Sequence, residues 1–249
     1  MNIAVCVNHV PDTETKVRVA PDGLAIDRSG VNFMMSPYDE IAVEEALRIR
    51  DKFTGAVTVI ALGGESHKET LRKALAMGAD RAVLLRDDGA RDSYAVAAGL
   101  AAELRALAPD VILCGKQSID YDDAQVGTLL AAILGLPSVA VVVKLAIADD
   151  RSVICEREIE GGHETVRTRL PAVFTAQKGL NDPRYPSLKG IMAAKSKPIE
   201  EKPAAPAAPR VEAVALRKPP AKNPGRIIGT DASAVPELVR LLHEEAKVI

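Results

Sequence analysis

The first half of the chain alternates short apolar runs with amphipathic helical patterns, and this alternation restricts the possible folds more than any other feature. The apolar runs span residues 3–7, 57–62, 81–85 and 111–114. A helical pattern beginning at Asp39 follows the first run, and each later run is followed by a pattern of its own. The alternation predicts an α/β fold with a mostly parallel, Rossmann-like sheet and helices on both faces.

The stretch from residue 111 to 128 is the candidate ligand site. Its apolar run ends at Gly115, a polar segment with three aspartates follows, and a helical pattern begins near Ala124. Ligands of such sheets bind beyond the carboxyl ends of the strands, so we expect the ends at Cys6, Gly63 and Gly115 to converge there. An ordinary strand-to-helix connection is the alternative, because neither G-x-G-x-x-G nor a Walker lysine motif is present.

The second half begins with a different pattern. Residues 139–147, 152–159 and 165–170 partly alternate polar and apolar side chains, with turn residues between them. These segments are typical of antiparallel strands added to the sheet or beside it. Residues 171–176 form one more apolar run, which predicts another buried strand.

The end of the chain predicts a second region. Residues 177–198 have no clear period, and residues 199–224 carry six prolines among alanines and lysines, as an extended arm does. A helix capped at Thr230 or Asp231 is expected to follow. We therefore predict a nucleotide-binding domain over residues 1–198 and a C-terminal arm with a helix over residues 199–249.

Composition excludes several functions. The net charge is −2 and only 3% of residues are aromatic, which argues against nucleic-acid binding. The three cysteines lie far apart, so disulfide and zinc frameworks are not expected. The N-terminus does not resemble a signal peptide and no run has the length of a membrane span, so a cytoplasmic protein that is not membrane-embedded is expected.

No set of residues supplies a base, a nucleophile and an oxyanion site together. The four histidines are scattered and are interpreted as surface or turn residues. Asp120, Asp122 and Asp123 could hold Mg²⁺ beside a phosphate, but a solvated, helix-capping cluster is the simpler interpretation, and no metal site is predicted. Cys6 and Cys114 are interpreted as small buried residues. The sequence thus predicts a nucleotide-binding protein or an electron carrier without catalytic residues of its own.

Four segments resemble the β subunit of electron transfer flavoproteins. They are Ser-Pro-Tyr-Asp-Glu-Ile-Ala-Val-Glu-Glu-Ala at 36–46, Ala-Leu-Ala-Met-Gly-Ala-Asp-Arg at 74–81, Gly-Lys-Gln-Ser-Ile-Asp at 115–120 with Ala-Gln-Val-Gly at 124–127, and Leu-Asn-Asp-Pro-Arg-Tyr-Pro-Ser-Leu at 180–188. The resemblance implies a heterodimer whose α subunit holds most of the redox FAD, while the β subunit buries a structural AMP. It also implies electron transfer from acyl-CoA-type dehydrogenases of fatty acid oxidation to a membrane quinone oxidoreductase.

The same resemblance implies two sets of binding residues. The positions that match the family's nucleotide contacts are Cys6, Ser36, Pro37, Tyr38, Asp39, Gly63, Gly115, Lys116, Gln117, Ser118, Ile119, Asp120, Tyr121, Asp122, Asp123, Ala124, Gln125 and Val126. Residues 178–198 match the loop that docks on dehydrogenase partners, with Tyr185, Leu188, Ile191 and Met192 as its contact residues.

The motifs leave the nucleotide open. Ser36 stands where the family usually has Asn, and Val126 where AMP-binding members often carry a polar residue. Ala-Gln-Val-Gly at 124–127 and Val-Pro-Asp-Thr at 10–13 are closer to electron-bifurcating members, which bind a second FAD instead of AMP. Residues 158–165 resemble the AMP-type proteins, and AMP is the preferred prediction.

Overall fold

The computed structural model describes residues 1–89, 91–222 and 224–249. In chain order, the elements are β1 (Asn2–Cys6), β2 (His9–Pro11), β3 (Phe33–Met35), α1 (Pro37–Phe53), β4 (Ala56–Gly63), α2 (His67–Met77), β5 (Arg81–Arg86), α3 (Ser93–Leu107), β6 (Val111–Gly115), α4 (Val126–Leu134), β7 (Ser138–Ile147), β8 (Ser152–Ile159), β9 (Gly162–Arg169), β10 (Ala172–Ala176), α5 (Leu188–Ser196), β11 (Ile199–Pro203) and α6 (Val235–Glu244).

Within the described residues, nine strands form one sheet in the order β11-β5-β4-β1-β6-β10-β7-β8-β9. The pairs from β11 to β7 are all parallel, whereas β8 pairs antiparallel with both β7 and β9. The prediction of a mostly parallel sheet with added antiparallel strands is therefore confirmed. Because β1 lies between β4 and β6, the carboxyl ends of these three strands lie side by side, as expected from the sequence.

Helices cover both faces of the sheet. Successive side chains of a strand point to opposite faces, and in β1 this places Ile3 and Val5 in one apolar cluster and Ala4 and Cys6 in the other. Residues of α1, α2 and α5 pack into the first cluster, and residues of α3 and α4 into the second. Helices α1 to α4 therefore bury their apolar sides against the sheet, which fixes where their termini lie relative to the strand ends.

Two helices begin at positions that differ by two residues from the prediction. Helix α1 begins at Pro37 rather than Asp39, because proline is well suited to the first turn, where its missing N–H has no intrahelical partner to lose. Helix α4 begins at Val126 rather than near Ala124, whose positive φ of 52° is not helical.

Four elements were not predicted, namely β2, β3, α5 and β11. Residues 9–11, expected only to end the first strand, form β2, which pairs antiparallel with β3. Residues 188–196 form α5. The sequence there has no apolar period because only one residue of this helix, Ala194, is buried. Ser187 begins α5 by accepting a hydrogen bond from the Gly190 N–H at 3.0 Å.

The start of the predicted arm is also wrong. Residues Ile199–Pro203 form β11, which pairs with β5 and forms one edge of the sheet, so the extended stretch begins at Ala204. Proline is compatible with this position because an edge strand leaves one side of its backbone unpaired. From there the chain crosses the N-terminus of α3, where the Asp92 carboxylate accepts hydrogen bonds from the N–H groups of Arg210 at 2.7 Å and Val211 at 2.9 Å.

The C-terminus ends in an amphipathic helix. Asp231 accepts a hydrogen bond from the Ser233 N–H at 2.8 Å and begins a short 3-10 turn that leads into α6. None of the residues of α6 is buried, and Val235, Leu238 and Val239 are exposed. Among the helices described, none is long and apolar enough to cross a membrane.

Candidate nucleotide-binding site

Asp39 joins two strand ends at the carboxyl edge of the sheet. One carboxylate oxygen accepts from the Asn8 N–H, just beyond β1, at 2.8 Å, and the other accepts from the Gly115 N–H, at the end of β6, at 2.9 Å. Burial raises the pKa of Asp39 to about 7, although both backbone hydrogen bonds act to lower it. A single buried carboxyl group on the first turn of α1 therefore fixes the spacing of the two strand ends.

The loop from residue 116 to 125 is shaped by its own polar side chains. Asp120 accepts from the Ser118 hydroxyl and from the Tyr121 N–H, and Asp122 accepts from the Gln117 side chain at 2.7 Å. These hydrogen bonds use the acids to fix the loop conformation. Among the described residues, no group of three or more potential ligand side chains is arranged to hold a metal ion.

Two neighbouring contacts attach this loop to the rest of the edge. The Asn8 side chain donates to the Ser118 hydroxyl at 3.0 Å, and the Ser93 hydroxyl at the start of α3 donates to Asp123. The ammonium group of Lys116 lies 5.1 Å from the centre of the Tyr38 ring. The loop thus connects β1, α1 and α3 along one edge.

Two glycines allow close backbone approaches in the site. A Cβ atom added to Gly115 would lie 2.6 Å from a carboxylate oxygen of Asp39 and 2.7 Å from the Tyr38 Cβ. A Cβ added to Gly127 would lie 2.5 Å from a methyl carbon of Thr175 on β10. Glycine is therefore required for α1 and the first turn of α4 to sit this close to the strands.

The N-terminus of α4 has free hydrogen-bond donors. The first N–H groups of any helix have no intrahelical acceptor, and the Gln125 side chain at the N-cap of α4 does not bind them. Ser36, at the N-cap of α1, is fully buried, and its hydroxyl has no hydrogen-bond partner among the described residues. Both features suit a polar ligand that brings acceptors and donors to this edge.

The structure brings most of the predicted nucleotide contacts together. Cys6 and Cys114 are register partners on β1 and β6, and both are buried, as predicted. The hydrogen bonds described above join Asp39 to Gly115 and tie the polar loop to the same edge. Gly63 lies at this edge as well, but on the far side of β1, where it packs against the His67 ring.

Asn8 and Ser93 are site residues that the sequence did not single out. Asn8 follows the apolar run of β1 directly, and a polar residue at the end of a buried strand was the available signal. Nothing in the sequence around Ser93 indicates its bond to Asp123, because the two residues meet only through the packing of α3 against α4.

The interpretation of the histidines as surface or turn residues is wrong for His9. Its ring is buried in β2, hydrogen-bonded to the Thr70 hydroxyl at 2.9 Å and stacked on Phe33 at 5.1 Å between ring centres. His67, the first residue of α2, is half-buried beside it at 5.4 Å. Burial first, and then the neighbouring His9, lower the pKa of His67 to about 4, so both rings favour the neutral form.

The predicted partner contacts lie on α5 and just before it. Tyr185 is 95% exposed and Leu188 is 78% exposed, and Ile191 and Met192 are exposed as well. The prediction placed Leu188 in a stiff loop, but it is the first residue of α5. Large apolar side chains held out on a helix are suited to insertion into a partner's pocket.

Comparison with known proteins finds one family along most of the chain. The family model described as "Electron transfer flavoprotein domain" matches residues 23–207 of this chain. The electron transfer flavoprotein subunit beta of Syntrophomonas wolfei is 41% identical over 226 residues, which cover 90% of this chain and 88% of that protein. The protein of the same name from Bacillus subtilis is 38% identical over 260 residues, covering 100% of both chains. The mitochondrial one from Oryza sativa subsp. japonica is 40% identical over 263 residues, with the same full coverage.

Proposed function

The chain belongs to the electron transfer flavoprotein β-subunit family, and on that premise we propose that it is one half of a heterodimeric electron carrier. Its partner is the α subunit, which holds most of a redox-active FAD. The bound FAD supplies the one- and two-electron chemistry, while this chain binds a nucleotide, supports the flavin-bearing partner and docks with other proteins. On this proposal, the chain carries electrons with its partner and does not catalyse a reaction of its own.

The observation that carries this proposal is the edge built around Asp39. The carboxyl ends of β1 and β6 are fixed there, two glycines let α1 and α4 approach closely, and the first N–H groups of α4 are free. Such an edge suits the phosphate of an adenine nucleotide. We assign AMP to it, with its phosphate at the first turn of α4.

The residues around the edge are compatible with a phosphate despite the three aspartates. Asp120, Asp122 and Asp123 are each held by hydrogen-bond donors of the loop or of α3. Lys116 supplies a positive charge close to Tyr38. The unpartnered Ser36 hydroxyl offers a further polar contact.

A second FAD in place of AMP is the alternative. The features that favour it are Val126 and the segment at 10–13, which are closer to electron-bifurcating members of the family. The Val126 side chain packs against the apolar cluster formed with α3 and α4, so it offers no hydrogen bond to a phosphate or ribose. AMP stays the preferred assignment because residues 158–165 resemble the AMP-type members.

The electron donors and acceptors of the heterodimer follow from the same family assignment. We assign acyl-CoA-type dehydrogenases as donors, docking at Tyr185, Leu188, Ile191 and Met192, and a membrane quinone oxidoreductase as acceptor. The exposure of these four apolar side chains on and beside α5 supports the docking assignment.

The C-terminal region is assigned to the α subunit. Val211, Val214 and Ile227 on the arm are exposed, Val214 by 87%, and no residue of α6 is buried. Apolar surface of this extent on a proline-rich segment is suited to burial against a partner.

Co-expression with and without the α subunit tests the proposed function. We expect the pair to co-purify with bound flavin, and we expect an acyl-CoA dehydrogenase with its substrate to reduce that flavin. The chain expressed alone is the control, and we expect it to be less stable and to aggregate through its arm. A monodisperse, fully stable monomer that does not bind the α subunit would contradict the proposal.

A further inference from the structure

The segment between β10 and α5 has no regular secondary structure, yet it is anchored to α1 at two points. Asn181 is buried, and its side-chain N–H group donates to the Ile41 carbonyl at 3.0 Å and to the Glu45 carboxylate at 2.9 Å. Three residues later Arg184 makes the second attachment. The stretch from Asn181 to Arg184, directly before the exposed Tyr185, is therefore held against α1.

The second attachment is an ion pair between a buried carboxylate and a partly exposed guanidinium group. The Glu44 carboxylate, whose side chain is 5% exposed, accepts from the Arg184 backbone N–H at 3.1 Å, from its Nε at 2.8 Å and from its Nη2 at 3.1 Å. A fourth hydrogen bond comes from Arg48 at 3.1 Å. Arg184 also reaches Asp51, about two turns further along the same face of α1, at 3.4 Å.

This arrangement fixes direction as well as position. A guanidinium group that binds a carboxylate through two nitrogens can take only one orientation in the plane of the pair. Because the backbone N–H of Arg184 binds the same carboxylate, the main chain is held together with the side chain. The next residue is Tyr185, so its exposed side chain leaves the surface from a fixed point.

The far end of the segment is held by α2. A Cβ atom added to Gly190 would lie 2.5 Å from the Ala76 carbonyl oxygen, so the first turn of α5 touches the end of α2. Arg72 donates to the carbonyl groups of Ala194 and Lys197, which end α5. Tyr185 and Leu188 thus project from a stretch that is fixed on both sides.

We propose that Glu44 is a positioning residue for partner docking: by holding Arg184, it fixes the conformation in which Tyr185 and Leu188 are presented. A loop that is already ordered loses less conformational entropy when it binds. Glu44 touches no partner in this role and acts through Arg184. The docking role rests on the proposed function, whereas the ordering of the segment does not.

The test uses the purified heterodimer and four variants of this chain. They are Glu44→Gln, Arg184→Gln, the double variant that combines them, and Arg184→Lys, which keeps the charge but loses the fork. Arg151→Gln is the matched control, because Arg151 forms an exposed ion pair with Asp110 at 2.7 Å before β6, at the other end of the strands. Arg184 is itself partly exposed, so its variants are expected to fold even if Glu44→Gln does not.

The first readout is flavin reduction by a purified medium-chain acyl-CoA dehydrogenase with its acyl-CoA substrate, measured against dehydrogenase concentration. We expect Glu44→Gln and Arg184→Gln each to raise the half-saturating concentration by about tenfold, the scale of a lost charge-assisted contact, with the saturating rate unchanged. The double variant is expected to be no worse than either single one, since both remove the same pair. For Arg184→Lys, we expect a half-saturating concentration between that of the wild type and those of the two single variants.

The second readout is amide hydrogen exchange over residues 182–190, which needs no partner protein. We expect exchange there to become about tenfold faster in Glu44→Gln and to stay unchanged in Arg151→Gln. Unchanged exchange and an unchanged half-saturating concentration in both single variants would overturn the positioning role alone. A wild-type heterodimer that no acyl-CoA dehydrogenase reduces would overturn the proposed function, and the docking role with it, whatever the exchange data show.

Discussion

Asp39 carries more of the site than any other side chain. It accepts hydrogen bonds from the ends of β1 and β6, and its carboxylate would be crowded by any side chain at Gly115. Two N–H donors require an acceptor at both oxygens, and only a carboxylate supplies this without a donor of its own. Asp39 therefore sets the shape of the edge that is proposed to bind a nucleotide.

We predict that Asp39→Asn destabilises the chain by about 1–3 kcal/mol, because its amide group must face a backbone N–H and leave it unpaired. The same change is expected to weaken nucleotide retention. Chemical denaturation and nucleotide analysis of the heterodimer measure the two effects. Asp149→Asn is the control, since Asp149 is exposed in the turn between β7 and β8; equal effects of the two changes would show that Asp39 has no special role.

His67 makes stability depend on pH. Its pKa is lowered to about 4 by burial and by His9, so the ring is neutral in the fold. An unfolded histidine titrates near 6.5. The unfolded chain therefore binds more protons between these two values, and the stability that the neutral ring gives is complete above about pH 6.5 and is lost as the pH falls towards about 4.

We predict that, as the pH falls from about 6.5 to about 4, the free energy of unfolding declines less steeply in His67→Asn than in the wild type. The difference in slope is expected to approach about 1 kcal/mol per pH unit, as for one proton. Denaturant titrations at several pH values measure it. Groups such as Asp39, whose raised pKa acts in the opposite direction, contribute equally to both proteins. Parallel pH profiles would contradict the assignment of a neutral, buried His67.

At the scale of single elements, α5 carries most of the side chains proposed to dock on the dehydrogenase. Leu188→Ala is predicted to leave the melting temperature of the heterodimer unchanged, because the side chain is already 78% exposed. Docking to the dehydrogenase is expected to weaken by roughly 1–3 kcal/mol, the scale of a buried leucine. Thermal melting and the concentration dependence of flavin reduction are the paired measurements.

Leu24→Ala is the matched control for this change, since Leu24 is exposed in a turn of the N-terminal region that the docking assignment does not include. A large fall in melting temperature for Leu188→Ala, with unchanged electron transfer, would show that Leu188 stabilises its own domain. The docking assignment would then be wrong.

The elements that the sequence predicted are those that bury a regular apolar pattern. The central strands and the helices α1 to α4 have such patterns, and the sheet confirms them. Helix α5 was missed because one buried residue, Ala194, sets no period, and β11 was missed because its glutamates and lysine make it look like a linker. Both are held by contacts with distant residues, such as Arg72 and Glu103, that a local pattern cannot contain.

The candidate site was also predictable only where it follows from the order of the strands. The convergence of strand ends follows from the parallel order, so Cys6, Gly115 and the following loop could be placed from the sequence. The roles of Asn8 and Ser93 depend on which elements lie side by side. The burial of His9 depends on the pairing of β2 with β3, which brings together residues about two dozen positions apart.

At the scale of the whole molecule, α1 contacts both the proposed nucleotide-binding edge and the segment that leads to the proposed docking surface. The first turn of this helix carries Asp39, and its next turns carry Glu44 and Glu45, which hold the segment before α5. The C-terminal arm continues from β11, the outermost strand on one side of the sheet, and ends in an exposed amphipathic helix. On the proposed function, this arrangement would place the nucleotide, the α subunit and the electron donors at separate surfaces of the chain.

The nucleotide content of the purified heterodimer tests this account most directly. Acid release followed by chromatography is expected to give one AMP and one FAD for each heterodimer, with the AMP lost in Asp39→Asn. Two FAD and no AMP would replace the AMP assignment with the bifurcating alternative. A folded heterodimer with flavin in the α subunit and no nucleotide in this chain would contradict the account of the edge around Asp39.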